Sequence, residues 1–170
     1  PNSYVLPLQH SPTRRRWISN RWKIFRETIP LIDSEAPISL RLPLSDLPNV
    51  KKARDEIYPE RSPFEQKNSL PTYEDLESQC QKRRPSDQTF KNDPDGLVTS
   101  ALCAEIRCGI LHLSLPPIVY IEHFLELITA IELTAKKSNM PIVLEGYPPP
   151  HDLRLQHFSI TPDPGVLEVN

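Results

Sequence analysis

A chain of 170 residues is long enough for one domain with its own core and short for several. The net charge of −2 gives no general attraction to nucleic acid or to an anionic membrane surface, and no apolar run reaches the roughly 20 residues of a membrane span. With 20 prolines against 4 glycines and 38% hydrophobic residues, the composition favours extended segments, turns and linkers over long regular elements.

Three parts follow in chain order. Residues 1–48 read as short strands broken by prolines. Tyr4-Val5-Leu6 is one, Trp22-Lys23-Ile24-Phe25 a second, and Ser39-Leu40-Arg41-Leu42 a third, its polar–apolar alternation matching a half-buried strand. Residues 49–96 are charged, proline-spaced and without a repeating apolar face, which predicts a mobile insertion with one helical turn near Tyr73–Cys80. The basic triplets Arg14-Arg15-Arg16 and Lys82-Arg83-Arg84 are solvated faces, since a nucleic-acid surface needs a broader patch with interleaved aromatics.

Residues 97–170 form the core segment. Val98–Ile106 and Ile110–Leu115 flank Arg107-Cys108-Gly109, a hairpin turn in which the glycine takes the positive φ. Pro116-Pro117 ends the second strand. Ile118–Lys137 is the best helix, with Ile121, Phe124, Leu125, Ile128 and Ile131 at helical spacing. Glu122 near its start and Lys136-Lys137 near its end suit the macrodipole, and Asn139 followed by Pro141 is a C-terminal stop. Then come a strand at Ile142–Leu144, a triple-proline loop, and strands Phe158–Thr161 and Val166–Val169 joined by Pro162-Asp163-Pro164-Gly165. The order predicts an α+β fold, a mainly antiparallel sheet carrying one long packed helix.

Three ordered blocks carry a resemblance. One is Glu145-Gly-Tyr-Pro-Pro-Pro-His-Asp-Leu-Arg-Leu155 with Thr161-Pro-Asp-Pro-Gly-Val-Leu-Glu-Val-Asn170. Another is Thr99-Ser-Ala-Leu-Cys-Ala-Glu105 followed by Leu111-His-Leu113 and Pro116-Pro117. The third is Tyr4-Val-Leu-Pro-Leu8, Trp17, Arg21-Trp22 and Leu40-Arg-Leu-Pro-Leu44. Together they resemble the amidoligase domain of large bacterial proteins, which usually follows a transglutaminase-like domain. The chain departs from that pattern at Asp33–Arg41, where the family's glycines are missing, and at Leu153, which replaces a proline.

The resemblance implies a glutamine synthetase-like fold and ATP-dependent amide-bond formation with Mg²⁺, acting on peptide or small-molecule carboxylates and amines. It also implies that Glu105, Glu145 and Glu168, each in or beside an apolar strand, are the metal ligands. The physical reason is that a strand-borne carboxylate is costly unless a cation pairs with it, and Mg²⁺ takes carboxylate oxygens together with substrate phosphates. Against this stands the plain reading that strand-edge glutamates face solvent. Arg41 and Arg154 are candidates for phosphate or substrate carboxylate through their fork of donors, or for structural ion pairs. His151 joins them as a candidate, although the His151-Asp152 pair reads more simply as an Asx-type turn closing the proline loop. Asn170 is a candidate for ligand contact. His112, between Leu111 and Leu113, reads as a strand-surface histidine rather than a ligand.

Several chemistries are excluded. No GxxxxGK[ST] loop or G-x-S-x-G elbow is present. Cys80, Cys103 and Cys108 have no zinc spacing and read as free cytoplasmic thiols, and Cys103 has no activating neighbour in sequence. The chain starts at Pro1 and stops at Asn170 straight after a strand-like run. That predicts a fragment of the ligase domain, inactive alone, with a non-catalytic remnant or scaffold segment as the alternative.

Overall fold

A computed structural model describes residues 3–11, 15–20, 22, 31–44, 61–62, 65–82, 98–158, 160–163 and 166–169, the last two segments by backbone alone apart from Ile160. The architecture is α+β. Strands β1 (Ser3–Pro7), β4 (Ala101–Arg107), β5 (Ile110–Leu115) and β6 (Ile142–Gly146) form one sheet in the order β1-β4-β5-β6. The first two pairings are antiparallel and β5–β6 is parallel. Two hairpins stand apart from this sheet: β2 (Gln9–Ser11) with β3 (Arg16–Ile18), and β7 (Ile160–Asp163) with β8 (Val166–Val169). Among the described residues the helices are α1 (Ile38–Arg41), α2 (Tyr73–Lys82) and α3 (Ile121–Ser138). Among the described residues no helix is long and apolar enough to cross a membrane.

The β4–β5 hairpin closes through a two-residue turn. Cys108 and Gly109 both have positive φ, 51° and 79°, which matches the twist of the flanking strands. The turn fixes the register, Arg107 opposite Ile110, Glu105 opposite His112 and Cys103 opposite Ser114. With side chains alternating between faces, Leu102, Leu111 and Leu113 face α3 while Cys103, Glu105, Arg107, His112 and Ser114 face the other way.

Helix α3 starts three residues later than its apolar spacing predicts. Pro116-Pro117 holds the chain extended, and Tyr120 still has φ −112° and ψ 136°. Its carbonyl accepts the first helical bonds, from His123 at 3.1 Å and Phe124 at 3.2 Å. The helix stops as expected: Asn139 is left-handed (φ 49°, ψ 42°), and Met140 N–H reaches Ala135 O at 3.1 Å. Leu127 and Ile131 of α3 pack with Leu115, and Phe124, Ile128 and Ile142 adjoin them. Ile121 is 1% exposed. A largely apolar cavity of about 320 Å³ lies between the sheet and the C-terminal half of the helix.

Other expectations change. Residues Ser39–Leu42 are not a strand: Ile38–Arg41 is a single helical turn. Pro37, at φ −51°, starts it and its carbonyl accepts Leu40 N–H at 2.9 Å. Burial follows i, i+4, with Ile38 and Leu42 buried and Leu40 70% exposed, because the turn packs against Ala101 and Cys103 on the sheet. Trp22 caps that cluster and donates to Val98 O at 2.8 Å; the rest of the strand expected at Trp22–Phe25 lies outside the described residues. Of the stretch 49–96, residues 49–60, 63–64 and 83–96 lie outside the description too. Within it α2 is a ten-residue helix rather than one turn. Thr72 and Asp75 cap it reciprocally, Asp75 N–H to Thr72 Oγ1 at 3.2 Å and Thr72 N–H to Asp75 Oδ2 at 3.3 Å.

Candidate functional site

The sheet face turned away from α3 is apolar at one end and polar at the other. Val5, Ala101 and Cys103 lie under α1, Trp22 and Leu44. Beyond them Glu105 and Arg107 from β4, His112 and Ser114 from β5, and Glu145 from β6 come together. Ser114, 3% exposed, donates its hydroxyl to Glu145 Oε1 at 2.8 Å. Arg107 Nη2 donates to Glu145 Oε2, and its Nε lies 3.6 Å from Glu105 Oε2. His112 Nδ1 lies 3.4 Å from Glu145 Oε2. The strand register explains the meeting, since Ser114 is level with Glu145 across β5–β6 and His112 with Glu105 across β4–β5.

Gly146 makes this arrangement possible. At φ 94°, a Cβ there would lie 2.6 Å from Leu115 N and 2.7 Å from Leu115 O. Only glycine lets the backbone after Glu145 press so close to β5.

Glu145 feels opposing influences. Burial pushes its carboxyl upward, but the hydrogen bonds from Arg107 and Ser114 and the nearby charges outweigh it, so the pKa falls. The carboxylate is thus ionised and held in one orientation. Cys103 behaves in the opposite way: burial, then the charge of Glu105, pushes its thiol up to about 11. A thiol so strongly protonated is no nucleophile at neutral pH. Buried Glu105 Oε2, Arg107 Nε and His112 Nδ1 have no hydrogen-bond partner. The donor set, two carboxylates and an imidazole, suits an oxygen-seeking cation in kind. As folded it does not form a metal centre: among the described residues no group of three or more His, Cys, Asp or Glu could hold a metal ion. Arg107 stands between the two carboxylates as their cation.

The remaining expected residues lie elsewhere. Glu168 is in β8, opposite Thr161 and outside the four-stranded sheet, and Asn170 is not among the described residues. Arg41 donates from Nε to Ile32 O at 3.0 Å and ties the loop 32–41 shut. His151 is exposed. Asp152 makes the Asx turn, accepting Arg154 N–H at 3.0 Å, while Leu155 N–H reaches Asp152 O at 3.0 Å.

Arg154 is engaged structurally. It forks onto Asp152 (Nε–Oδ1 2.8 Å, Nη2–Oδ2 2.9 Å), reaches Glu122 Oε1 at 2.8 Å and Asn68 O at 2.7 Å. Lys67 Nζ adds a bond to Asp152 Oδ2 at 2.9 Å, and Arg61 Nη1 one to each Glu122 oxygen at 3.1 Å. Arg61 also stacks 3.9 Å over the Tyr120 ring. This network pins Arg61, Lys67, Asn68 and the proline loop to the first turn of α3. Hydrogen bonding from Arg154 holds the Asp152 carboxyl well below the usual carboxylate range against its burial, and Asp152 in turn raises Arg154. Nearby, His10 stacks on His123 with ring centroids 3.4 Å apart, and Trp17 Nε1 donates to Glu126 at 3.1 Å, docking the β2–β3 hairpin on the same helix.

Of the three glutamates expected to converge, Glu105 and Glu145 meet on this face and Glu168 does not; Arg107 and Ser114, which the sequence did not single out, lie against them. The hairpin was the available signal: centring it on Cys108-Gly109 puts 105 opposite 112 and 103 opposite 114, so the face is readable by alternation.

No curated protein and no solved structure matches the chain. The family model described as "Putative amidoligase enzyme" matches residues 1–170, the whole chain. The chain belongs to that amidoligase family.

Proposed function

We propose that the polar sheet face is the site of a carboxylate–amine ligase, built on a glutamine synthetase-like sheet and dependent on ATP and Mg²⁺. The observation that carries the reading is the convergence of Glu105, Arg107, His112, Ser114 and Glu145 from three adjacent strands. ATP, when bound, would supply a phosphoryl group to a substrate carboxylate and leave as ADP, so that an amine could form the amide with release of inorganic phosphate and a proton. In this chain Glu145, oriented by Ser114, presents a fixed negative charge suited to an incoming ammonium or cation. Arg107 offers a guanidinium fork suited to phosphate or carboxylate. Substrates are peptide or small-molecule carboxylates and amines, and a transglutaminase-like domain of the same cytoplasmic protein is the expected neighbour. Glu168, Asn170 and His151 remain proposed contributors from outside this cluster.

A second reading, a non-catalytic scaffold, is favoured by the engagement of Arg154 and Arg41 in structural contacts and by the glycine-free loop at Asp33–Arg41. Phosphate release from Mg²⁺–ATP, followed with a panel of amines and carboxylates, separates the two. The ligase reading expects amine-dependent release that Glu145→Gln abolishes and Ser114→Ala lowers. Release that is absent from the protein, or identical in Glu145→Gln, refutes it.

A further inference from the structure

The β2–β3 hairpin meets α3 through aromatic rings. His10 of β2 is 8% exposed and stacks on His123 of α3, with centroids 3.4 Å apart and planes 19° from parallel. Trp17 of β3, level with His10, stands edge-on to it at 5.5 Å and donates to Glu126 Oε2 at 3.1 Å. Tyr120 tilts against His123 at 5.5 Å. The base of the hairpin is held separately. Leu8 N–H reaches Ser100 O at 3.0 Å, Ser100 Oγ donates to Leu8 O at 2.6 Å, and Thr99 N–H reaches Gln9 Oε1 at 3.0 Å. Those groups do not titrate near neutral pH, so the base is a fixed hinge and the ring contact is the part that responds to protons.

A stacked imidazole pair has more than one charge state, and not all of them fit this contact. With at most one ring protonated, the single charge lies on a helix that also carries Glu122 and Glu126. With both protonated, two like charges meet at contact distance where burial shields them poorly. Among the described residues, the charged groups around the pair are Glu122 and Glu126 on α3 and Arg61, which lies 3.9 Å over the Tyr120 ring; Arg15 and Arg16 of the hairpin are exposed. Burial lowers the His123 pKa, Glu122 raises it by less, and Arg61 lowers it again, so the net direction is down. A base whose folded pKa is depressed stabilises docking fully above its ordinary value of 6.5. That gain is lost as pH falls from there through the lower folded value.

We infer that the His10–His123 stack is a pH-sensitive latch, which holds the β2–β3 hairpin on α3 while at most one ring is charged and releases it in acid, when both take up protons. Release swings the hairpin about its base at Leu8–Gln9 and lifts Trp17 from the cluster of Leu115, Leu127 and Ile131. The latch is independent of the ligase reading, because it lies on the opposite side of the sheet from Glu105 and Glu145.

The test is amide hydrogen exchange of the whole chain at pH 7.5 and pH 5.0, read by peptide mass spectrometry. Each rate is divided by the unstructured rate at the same pH. In the parent, protection of residues 9–18 is expected to fall at least fivefold at pH 5.0 while β4 and β5 keep theirs. His10→Phe and His123→Phe each keep a ring that can stack and remove one of the two charges, so each should cut the fall to less than twofold. Hairpin protection that is the same at both pH values overturns the inference. So does a fall equally large in β4 and β5, or one that persists in a folded phenylalanine variant. If neither variant folds, imidazole titration of the parent by nuclear magnetic resonance decides: at least one of His10 and His123 should titrate below 6.5, and both titrating at or above it overturns the latch.

Discussion

Replacing Gly146 with alanine probes the point where the sheet and the site depend on each other. Two costs add. At φ 94° an L side chain is strained by about 1–2 kcal/mol. The new Cβ would also sit 2.6 Å and 2.7 Å from the backbone N and O of Leu115 and 3.2 Å from the Ser114 carbonyl carbon. These are backbone atoms of a central strand and cannot rotate away, so overpacking adds about 1–3 kcal/mol. The total is about 2–5 kcal/mol, equivalent to a melting shift on the order of 10 °C for a domain of this size. Gly109→Ala is the internal control: its φ is 79° but nothing lies within 4 Å, so only the strain of about 1 kcal/mol applies. Urea denaturation of both variants against the parent measures the difference. Because β6 can relieve the clash only by moving off β5, Gly146→Ala should also loosen the Ser114–Glu145 bond. Equal losses in the two variants, or a Gly146→Ala loss under about 0.5 kcal/mol, would refute the close-approach argument.

Asp152→Asn should cost about 3 kcal/mol near neutral pH, because it leaves the Arg154 fork and Lys67 short of their anion. The Asp152 carboxyl is held below its ordinary 3.8, so its contribution is complete above that pH and fades as pH falls through the lower folded value; denaturation curves of parent and variant should converge in acid, and a constant gap down to pH 2 would contradict this. Leu127→Ala removes a buried anchor of α3 and should cost about 2–5 kcal/mol by urea titration, whereas a loss below about 1 kcal/mol would mean the helix is not seated on the sheet as described. Iodoacetamide at pH 8 with peptide mass spectrometry should modify exposed Cys108 well before Cys103, whose thiol is buried and pushed up to about 11; equal labelling of the folded protein refutes that.

What the sequence made legible was local. The β4–β5 hairpin, α3 with its Asn139 stop, β6 and the β7–β8 pair all carry their own signals in turn residues and apolar spacing. The Asp152 turn was legible for the same reason, an Asx side chain bonding two residues along its own chain. The misreading at Ser39–Leu42 shows the limit of that approach. Four residues fit either period, and the choice was made by the sheet surface at Ala101 and Cys103, which takes Ile38 and Leu42 together. Helix α2 was underestimated because its apolar face is thin, although Thr72 and Asp75 had the spacing of a reciprocal cap. The site divides in the same way. Glu105 and Glu145 stood out as charges in apolar strands. Arg154 looked equally available, but its partners Asn68 and Glu122 are 86 and 32 residues away along the chain, and no local pattern reveals such contacts.

The position of β1 at the end of the sheet has a consequence for how the chain folds and varies. Strands β4, β5 and β6 with α3 are contiguous, residues 101–146, and need only short-range encounters to meet. Strand β1 joins them from Ser3–Pro7, with residues 8–100 between it and β4 along the chain. Closing a loop costs entropy that grows only logarithmically with its length, and doubling it adds about 0.6 kcal/mol. The edge strand should therefore dock late, after the three-stranded unit exists to receive it. Length changes between β1 and β4 that spare α1, α2 and the β2–β3 hairpin should be cheap beside those inside 101–146.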